Sequence, residues 1–203
     1  MAAADPHPIA VELPDLQGLS WETLFGNNHP VEVEIGPGKG GFLLRRARAR
    51  PDRNFLGIEW ANEYFRYAVD RMRRWGVSNV RLVRTDAVHF IRLLCPRNSL
   101  AALHVYHPDP WPKRRHHNRR LFQPAFVDAA VECLLHGGHW AVQSDHEEYF
   151  QVIRTLLLGH PELYEVPFDD PEYGVEAAQV ATNYEIKYRR QGRQIYQLAV
   201  RRR

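Results

Sequence analysis

The sequence predicts an α/β fold built on one mostly parallel sheet, and three observations predict it. Short runs of β-branched and aromatic residues alternate with longer stretches of helical periodicity, the βαβ rhythm of a sheet covered on both faces. The first strong run, "VEVEI" at 31–35, leads straight into a loop holding Gly36, Gly38, Gly40 and Gly41. Four acids, Glu34, Glu59, Asp86 and Asp109, stand at or next to the carboxyl ends of the first four such runs. In open α/β sheets that edge binds ligands.

Residues 1–30 read as an N-terminal arm, rich in Pro, Asn and His around an apolar patch at Leu19, Trp21 and Phe25, enough for one helical turn. Strands are then expected at 31–35, 54–60, 79–84, 100–107, 137–144, 163–168 and 195–200. Between them, Phe65, Val69 and Met72 recur at helical spacing, as do Phe122, Phe126, Ala130 and Leu134. The last two strands are separated by 169–193, too long for an idle loop in a compact domain and therefore expected to face substrate. A chain of 203 residues is sized for one domain with a real core, assigned to 31–203.

The formal charge is only +3, but arginines cluster at 45–50, 71–74, 113–120 and 201–203. Local patches of that kind suit nucleic acid or acidic small molecules, and they also suit plain solvated faces. The start shows no cationic segment followed by an apolar one, and no apolar run approaches bilayer length, so a cytoplasmic protein without membrane association is expected. Cys95 and Cys133 lie apart among apolar neighbours and read as buried thiols. The paired histidines lack ligand spacing, so no metal site is expected.

Glycines after a strand let the backbone turn sharply and approach a ligand at a helix N-terminus. Gly36, Gly38 and Gly41 satisfy GxGxxG, a weak signal alone that a structural turn also satisfies. Glu59 is placed to accept ribose hydroxyls, equally for NAD or S-adenosylmethionine. Glu34 separates these: a carboxylate beside the loop suits a sulfonium and an amino group and opposes a pyrophosphate. Asp86 is placed to take an adenine amino group. The plainer readings are a helix N-cap for Asp86 and an exposed or paired strand carboxylate for Glu34.

At 107–120 the chain reads "HPDPWPKRRHHNRR". Pro108, Pro110 and Pro112 exclude helix and hold Asp109 and Trp111 on a stiff turn directly before a run of cations.

Together, "VEVEIGPGKG", "FLGIEW", "VRTDA", "HPDPWPKRRHHNRRL", "QSDHEEY" and "TNYEIKYRRQGRQIY" resemble the bacterial tRNA (guanine-N7-)-methyltransferases from about Val31 to Leu198. The resemblance implies a Rossmann-like class I methyltransferase fold, a seven-stranded, mostly parallel sheet with an antiparallel last strand. It implies S-adenosyl-L-methionine as cofactor, tRNA as partner and methyl transfer to N7 of the guanine at position 46 in the variable loop. Carried over by position, Glu34, Gly36, Gly38, Glu59, Asp86 and Asp109 bind the cofactor, and Asp109 is also the catalytic residue. Lys113, Asp145 and the segment Thr182, Asn183, Tyr184 and Glu185 contact substrate.

Arg114, Arg115, Arg119 and Arg120 are expected to position tRNA phosphates, with Asp145 and Glu185 reading the guanine's N1 and N2 donors. No obligate protein partner is indicated. Two other readings remain: an amino-methylating enzyme acting on adenine or cytosine, and an RNA-binding module without catalysis. The intact set of acids opposes the second, because carboxylates beside a phosphate path weaken simple RNA binding.

Overall fold

The computed structural model describes residues 9–12, 18–169, 192 and 194–203. Among these residues eight strands form one sheet: β1 (Ala10–Val11), β2 (Val31–Ile35), β3 (Asn54–Glu59), β4 (Val80–Arg84), β5 (Leu100–Tyr106), β6 (Leu134–Ser144), β7 (Leu163–Val166) and β8 (Tyr196–Arg202). Their order across the sheet is β1-β4-β3-β2-β5-β6-β8-β7. Neighbours from β1 to β6 run parallel, whereas β8 is antiparallel to β6 and β7.

The expected strands are all found, with the last one reversed. β6 starts earlier than expected, because Leu134 already pairs with Leu100 before an irregularity brings His139 opposite Ala102. The added strand, β1, extends the β4 edge by pairing Ala10 with Leu82. Two residues are too few to carry a periodic signal.

The helices are α1 (Trp21–Phe25), α2 (Gly41–Ala49), α3 (Asn62–Arg74), α4 (Ala87–His89), α5 (Pro124–Cys133) and α6 (Glu147–Leu158); α4 runs on as a π turn, Phe90–Leu94. On α3 the apolar stripe buries Ala68, Val69 and Met72. Pro124 opens α5, where its missing N–H costs nothing. The row Phe122, Phe126, Ala130, Leu134 is helical only at its middle two members.

Two packed layers hold the sheet. Leu43, Leu44 and Ala47 of α2 and the α3 stripe close over Phe55, Val80 and Leu82. On the other face, Phe126, Val127, Tyr149 and Ile153 from α5 and α6 pack with Val33, Leu103 and Trp140. The Trp140 ring is fully buried and stacks on Phe122 at 5.6 Å. Burying a large apolar side chain contributes about 1.5–3 kcal/mol, so these layers hold the strand ends rigidly.

An ionic cluster lies inside, around Glu32. Fully buried Glu32 receives Arg46 through Nε and Nη2, both at 3.0 Å, and Arg53 at 3.1 Å. Burial pushes the Glu32 carboxyl up, but the His104 and Arg46 contacts outweigh it and hold the pKa at about 2. Burial pushes His104 down. A neutral His104 donates Nε2–H to Glu32 at 2.9 Å and accepts the Tyr106 hydroxyl at Nδ1, 3.0 Å away.

Candidate active site

The parallel register sets five strand ends abreast: Ile35 lies between Ile58 and Val105, Glu59 beside Arg84, and Tyr106 beside Gln143. At this edge a cavity of about 720 Å³ opens, lined by Gly36, Gly38, Glu59, Trp60, Tyr64, Thr85, Asp86, the segment 106–111, Arg119, Asp145 and His146, among others. Its size falls within the roughly 300–1,000 Å³ of small-molecule clefts. It sits where β2 has β3 on one side and β5 on the other, the switch point of the sheet.

Gly36 (φ 71°) and Gly38 (φ 53°) occupy the left-handed region that glycine enters without strain, which folds the loop back over the sheet edge. The Gly36 amide donates to the Ile58 carbonyl at 2.9 Å. Glu59 is buried and held from both ends: the Gly38 amide donates to Oε2 at 2.9 Å, and the Ala61 amide to Oε1 at 2.8 Å. A carboxylate has about four acceptor positions, so both oxygens keep capacity for hydroxyls.

Asp86 is the helix cap that the plainer reading expects, and it also lines the cavity. Its Oδ1 accepts the His89 amide at 2.8 Å as the cap of α4, and the residue is exposed on the cavity wall. Asp109 also lines the cavity, exposed between Pro108 and Pro110. Its turn is stiff and also strained: His107 (φ 53°) and Trp111 (φ 40°) both adopt left-handed backbone. Such residues cost on the order of 1–3 kcal/mol each and persist where surrounding structure enforces them. Here the His107 amide donates to the Gln143 carbonyl at 2.8 Å. The Trp111 ring has the Arg119 guanidinium 5.2 Å from its centroid and makes a T-shaped contact with His116.

Glu34 lies behind the loop and is not among the residues lining the cavity. It is buried on the α2 side, and burial, reinforced by Glu59, pushes its carboxyl up to about 8. Burial thus works against the negative charge that the sequence reading places there beside a cationic ligand. Strand periodicity places a residue on a face but does not reveal how deeply the next helix covers it.

Lys113, Arg114 and Arg115 are exposed at the start of a 3-10 turn, Arg114–Arg119, that leaves the cavity rim. Arg120 differs from the expectation of a phosphate contact. Its side chain is buried, bonded to the Pro110 carbonyl and to Glu148. The adjacent sequence does not mark it, since its partner is 28 residues away. Asp145 and His146 reach the cavity from the β6–α6 turn, and His107 Nδ1 stands 3.6 Å from Asp145 Oδ1, beyond hydrogen-bond length. Thr182, Asn183, Tyr184 and Glu185 lie outside the described residues.

Sequence reasoning also gave no individual role to Trp60, which is 70% exposed at the rim, or to Tyr64, Thr85 and His146. Trp60 had a usable signal, an aromatic directly after the acid that ends β3.

A family model described as "Putative methyltransferase" matches residues 28–198. Among solved structures, a precorrin-6y C5,15-methyltransferase from Geobacter metallireducens superposes with a TM-score of 0.57 at 13% identity, covering 87% of this chain and 82% of that one. A SAM-dependent O-methyltransferase from Thermotoga maritima gives 0.55 at 18%, covering 87% and 60%. These likenesses show the class I methyltransferase fold.

Curated relatives called tRNA (guanine-N(7)-)-methyltransferase include that of Paenarthrobacter aurescens, 37% identical over 70% of this chain and 47% of the relative. The Bordetella pertussis protein is 41% identical over 70% and 56%. The match thus spans about half the length of these two relatives. The Nitrosococcus oceani protein is 32% identical over 91% of this chain and 76% of its own length. With that coverage, and with the glycine loop, Glu59, Asp86 and the Asp109 turn meeting at one cavity, the chain belongs to the tRNA (guanine-N(7)-)-methyltransferase family.

Proposed function

We propose that this protein transfers a methyl group from S-adenosyl-L-methionine to N7 of guanine 46 in the variable loop of tRNA. The observation that carries this reading is the convergence of Glu59, Asp86 and Asp109, from three different strand ends, on one cavity beside an exposed cationic turn. The residues fit the cofactor: Glu59 offers acceptors for ribose hydroxyls, Asp86 an acceptor for the adenine amino group, and Gly36 and Gly38 a close backbone approach. Glu34 backs the loop, where a cationic ligand favours its ionised form. Tyr64 and Trp60 add aromatic surface at the rim.

S-adenosylmethionine supplies a methyl group on a sulfonium. Guanine N7 has a lone pair and no proton, so no general base is needed to create the nucleophile. The protein's task is alignment, worth roughly 7–11 kcal/mol of barrier when complete. Asp109, fixed between two prolines, presents a carboxylate to the positive charge that passes to the purine, or to the base's N–H edge. Asp145, at the end of the neighbouring strand, reads guanine donors; Thr182, Asn183, Tyr184 and Glu185 complete the substrate side. Lys113, Arg114 and Arg115 meet tRNA phosphates, which position without specifying.

The catalytic unit is 31–203, with 1–30 as an arm that adds β1 to its sheet edge, and the setting is a cytoplasmic enzyme needing no protein partner. Among the described residues no helix is long and apolar enough to cross a membrane. The testing experiment supplies unmodified tRNA transcript and methyl-labelled S-adenosylmethionine to the purified protein and identifies the labelled nucleoside. Label in 7-methylguanosine supports the reading. Label in methylated adenosine or cytidine moves the protein to amino methylation, and tight binding of both ligands without label makes it a non-catalytic binder.

A further inference from the structure

We propose that Arg120 is a positioning residue for methyl transfer: it holds the Asp109 turn through the Pro110 carbonyl and takes no part in binding RNA phosphates. The inference rests on the methyltransferase reading above.

Arg120 ends the cationic run 113–120, and nothing local in the sequence distinguishes it from its neighbours. Its surroundings do. The side chain is only 3% exposed, whereas Lys113, Arg114, Arg115 and Arg119 are exposed. Nε donates to the Pro110 carbonyl at 2.8 Å, and Nη1 and Nη2 grip the two Glu148 oxygens at 3.0 and 2.6 Å. The guanidinium lies 4.7 Å from the centroid of the buried Tyr149 ring, whose hydroxyl accepts the Phe122 amide. A planar fork matched on both prongs and stacked on an aromatic has no edge left for a phosphate.

The contact falls at an informative place. Proline has no N–H, so the carbonyl is the only backbone polar group by which Pro110 can be anchored. Asp109 is one peptide away. Glu148 lies in the first turn of α6, where the helix end favours a carboxylate, and α6 begins just after Asp145 and His146 on the cavity wall. Arg120 therefore ties the turn carrying Asp109 to the helix that follows the turn carrying Asp145, so the two acid-bearing turns at the ends of neighbouring strands β5 and β6 are held to one another. In a reaction that depends on alignment, a displacement of about 1 Å costs on the order of 10²-fold in rate.

The test compares Arg120→Lys and Glu148→Gln with the parent in single-turnover methylation at saturating tRNA and S-adenosylmethionine, and in tRNA binding across a salt series. No label in 7-methylguanosine with the parent itself defeats the methyltransferase reading, and this inference with it. With an active parent, Arg120→Lys is expected to slow the saturated step on the order of 10²-fold and Glu148→Gln by roughly tenfold. The tRNA Kd should stay within about twofold, with an unchanged salt slope. If Arg120→Lys fails to fold, Glu148→Gln, which alters an exposed side chain, decides the matter by the same split. A weaker tRNA Kd with a shallower salt slope and a preserved saturated rate makes Arg120 a phosphate contact and overturns the inference. Unchanged rates in the folded variants overturn it, and so does parallel loss of rate, cofactor binding and tRNA binding.

Discussion

The Glu59 carboxylate accepts the Gly38 amide at 2.9 Å, so the acid that ends β3 and the glycine loop after β2 hold each other in place. That contact joins the two halves of the proposed nucleoside site before any ligand arrives. Glu59→Ala is expected to weaken S-adenosylmethionine binding tenfold or more, since charge-assisted hydrogen bonds contribute about 1.5–3 kcal/mol. Titration calorimetry on the folded variant checks it; parent-like affinity removes Glu59 from the site.

Glu34 predicts a pH effect. Its ordinary pKa of 4.5 is raised to about 8 in the folded protein, mainly by burial. Between these values the folded state binds more protons than the unfolded chain, so this group's contribution to stability falls as pH rises from about 4.5 through 8. Glu34→Gln does not titrate. Its Tm relative to the parent should therefore rise steadily from pH 5.5 to 8.5, and parallel curves for the two proteins contradict the assignment.

Glu32 carries the opposite sign. With its pKa lowered to about 2, its contribution is present above 4.5 and is lost as pH falls toward 2. Glu32→Gln leaves Arg46 and Arg53 buried against a neutral amide and is expected to cost on the order of 3–5 kcal/mol in denaturant unfolding. A loss below about 1 kcal/mol would show that the cluster is not needed for the fold.

Arg114 and Arg115 are exposed on the turn that leaves the rim. Replacing both with Ala should weaken tRNA binding and lower the salt slope by about one for each phosphate no longer neutralised, with little change in the saturated rate. Binding measured across a salt series is the check, and an unchanged slope places the phosphates elsewhere.

How these groups read from sequence depended on whether their chemistry was local. The strands were legible because β-branched runs end at glycine, proline or acid. The approach of Glu59, Asp86 and Asp109 was legible because parallel register aligns strand ends. Burial depth was not, which is why Glu34 was expected as a charge beside the loop. Arg120 and Arg119 are adjacent and identical in type, yet one is locked to Glu148 and the other lies at the rim over Trp111. Only the packing of α6 against the proline turn separates them. Asp86 was open between cap and ligand because one oxygen can serve each purpose.

The most direct measurement of the central claim pairs two tRNA transcripts, one with guanine at position 46 and one with adenine there, and follows methyl label from S-adenosylmethionine in the presence of parent protein or Asp109→Ala. Label is expected as 7-methylguanosine only in the guanine transcript with the parent protein, and Asp109→Ala is expected to retain tRNA binding without turnover. Equal labelling of both transcripts, or full activity in Asp109→Ala, would contradict that claim.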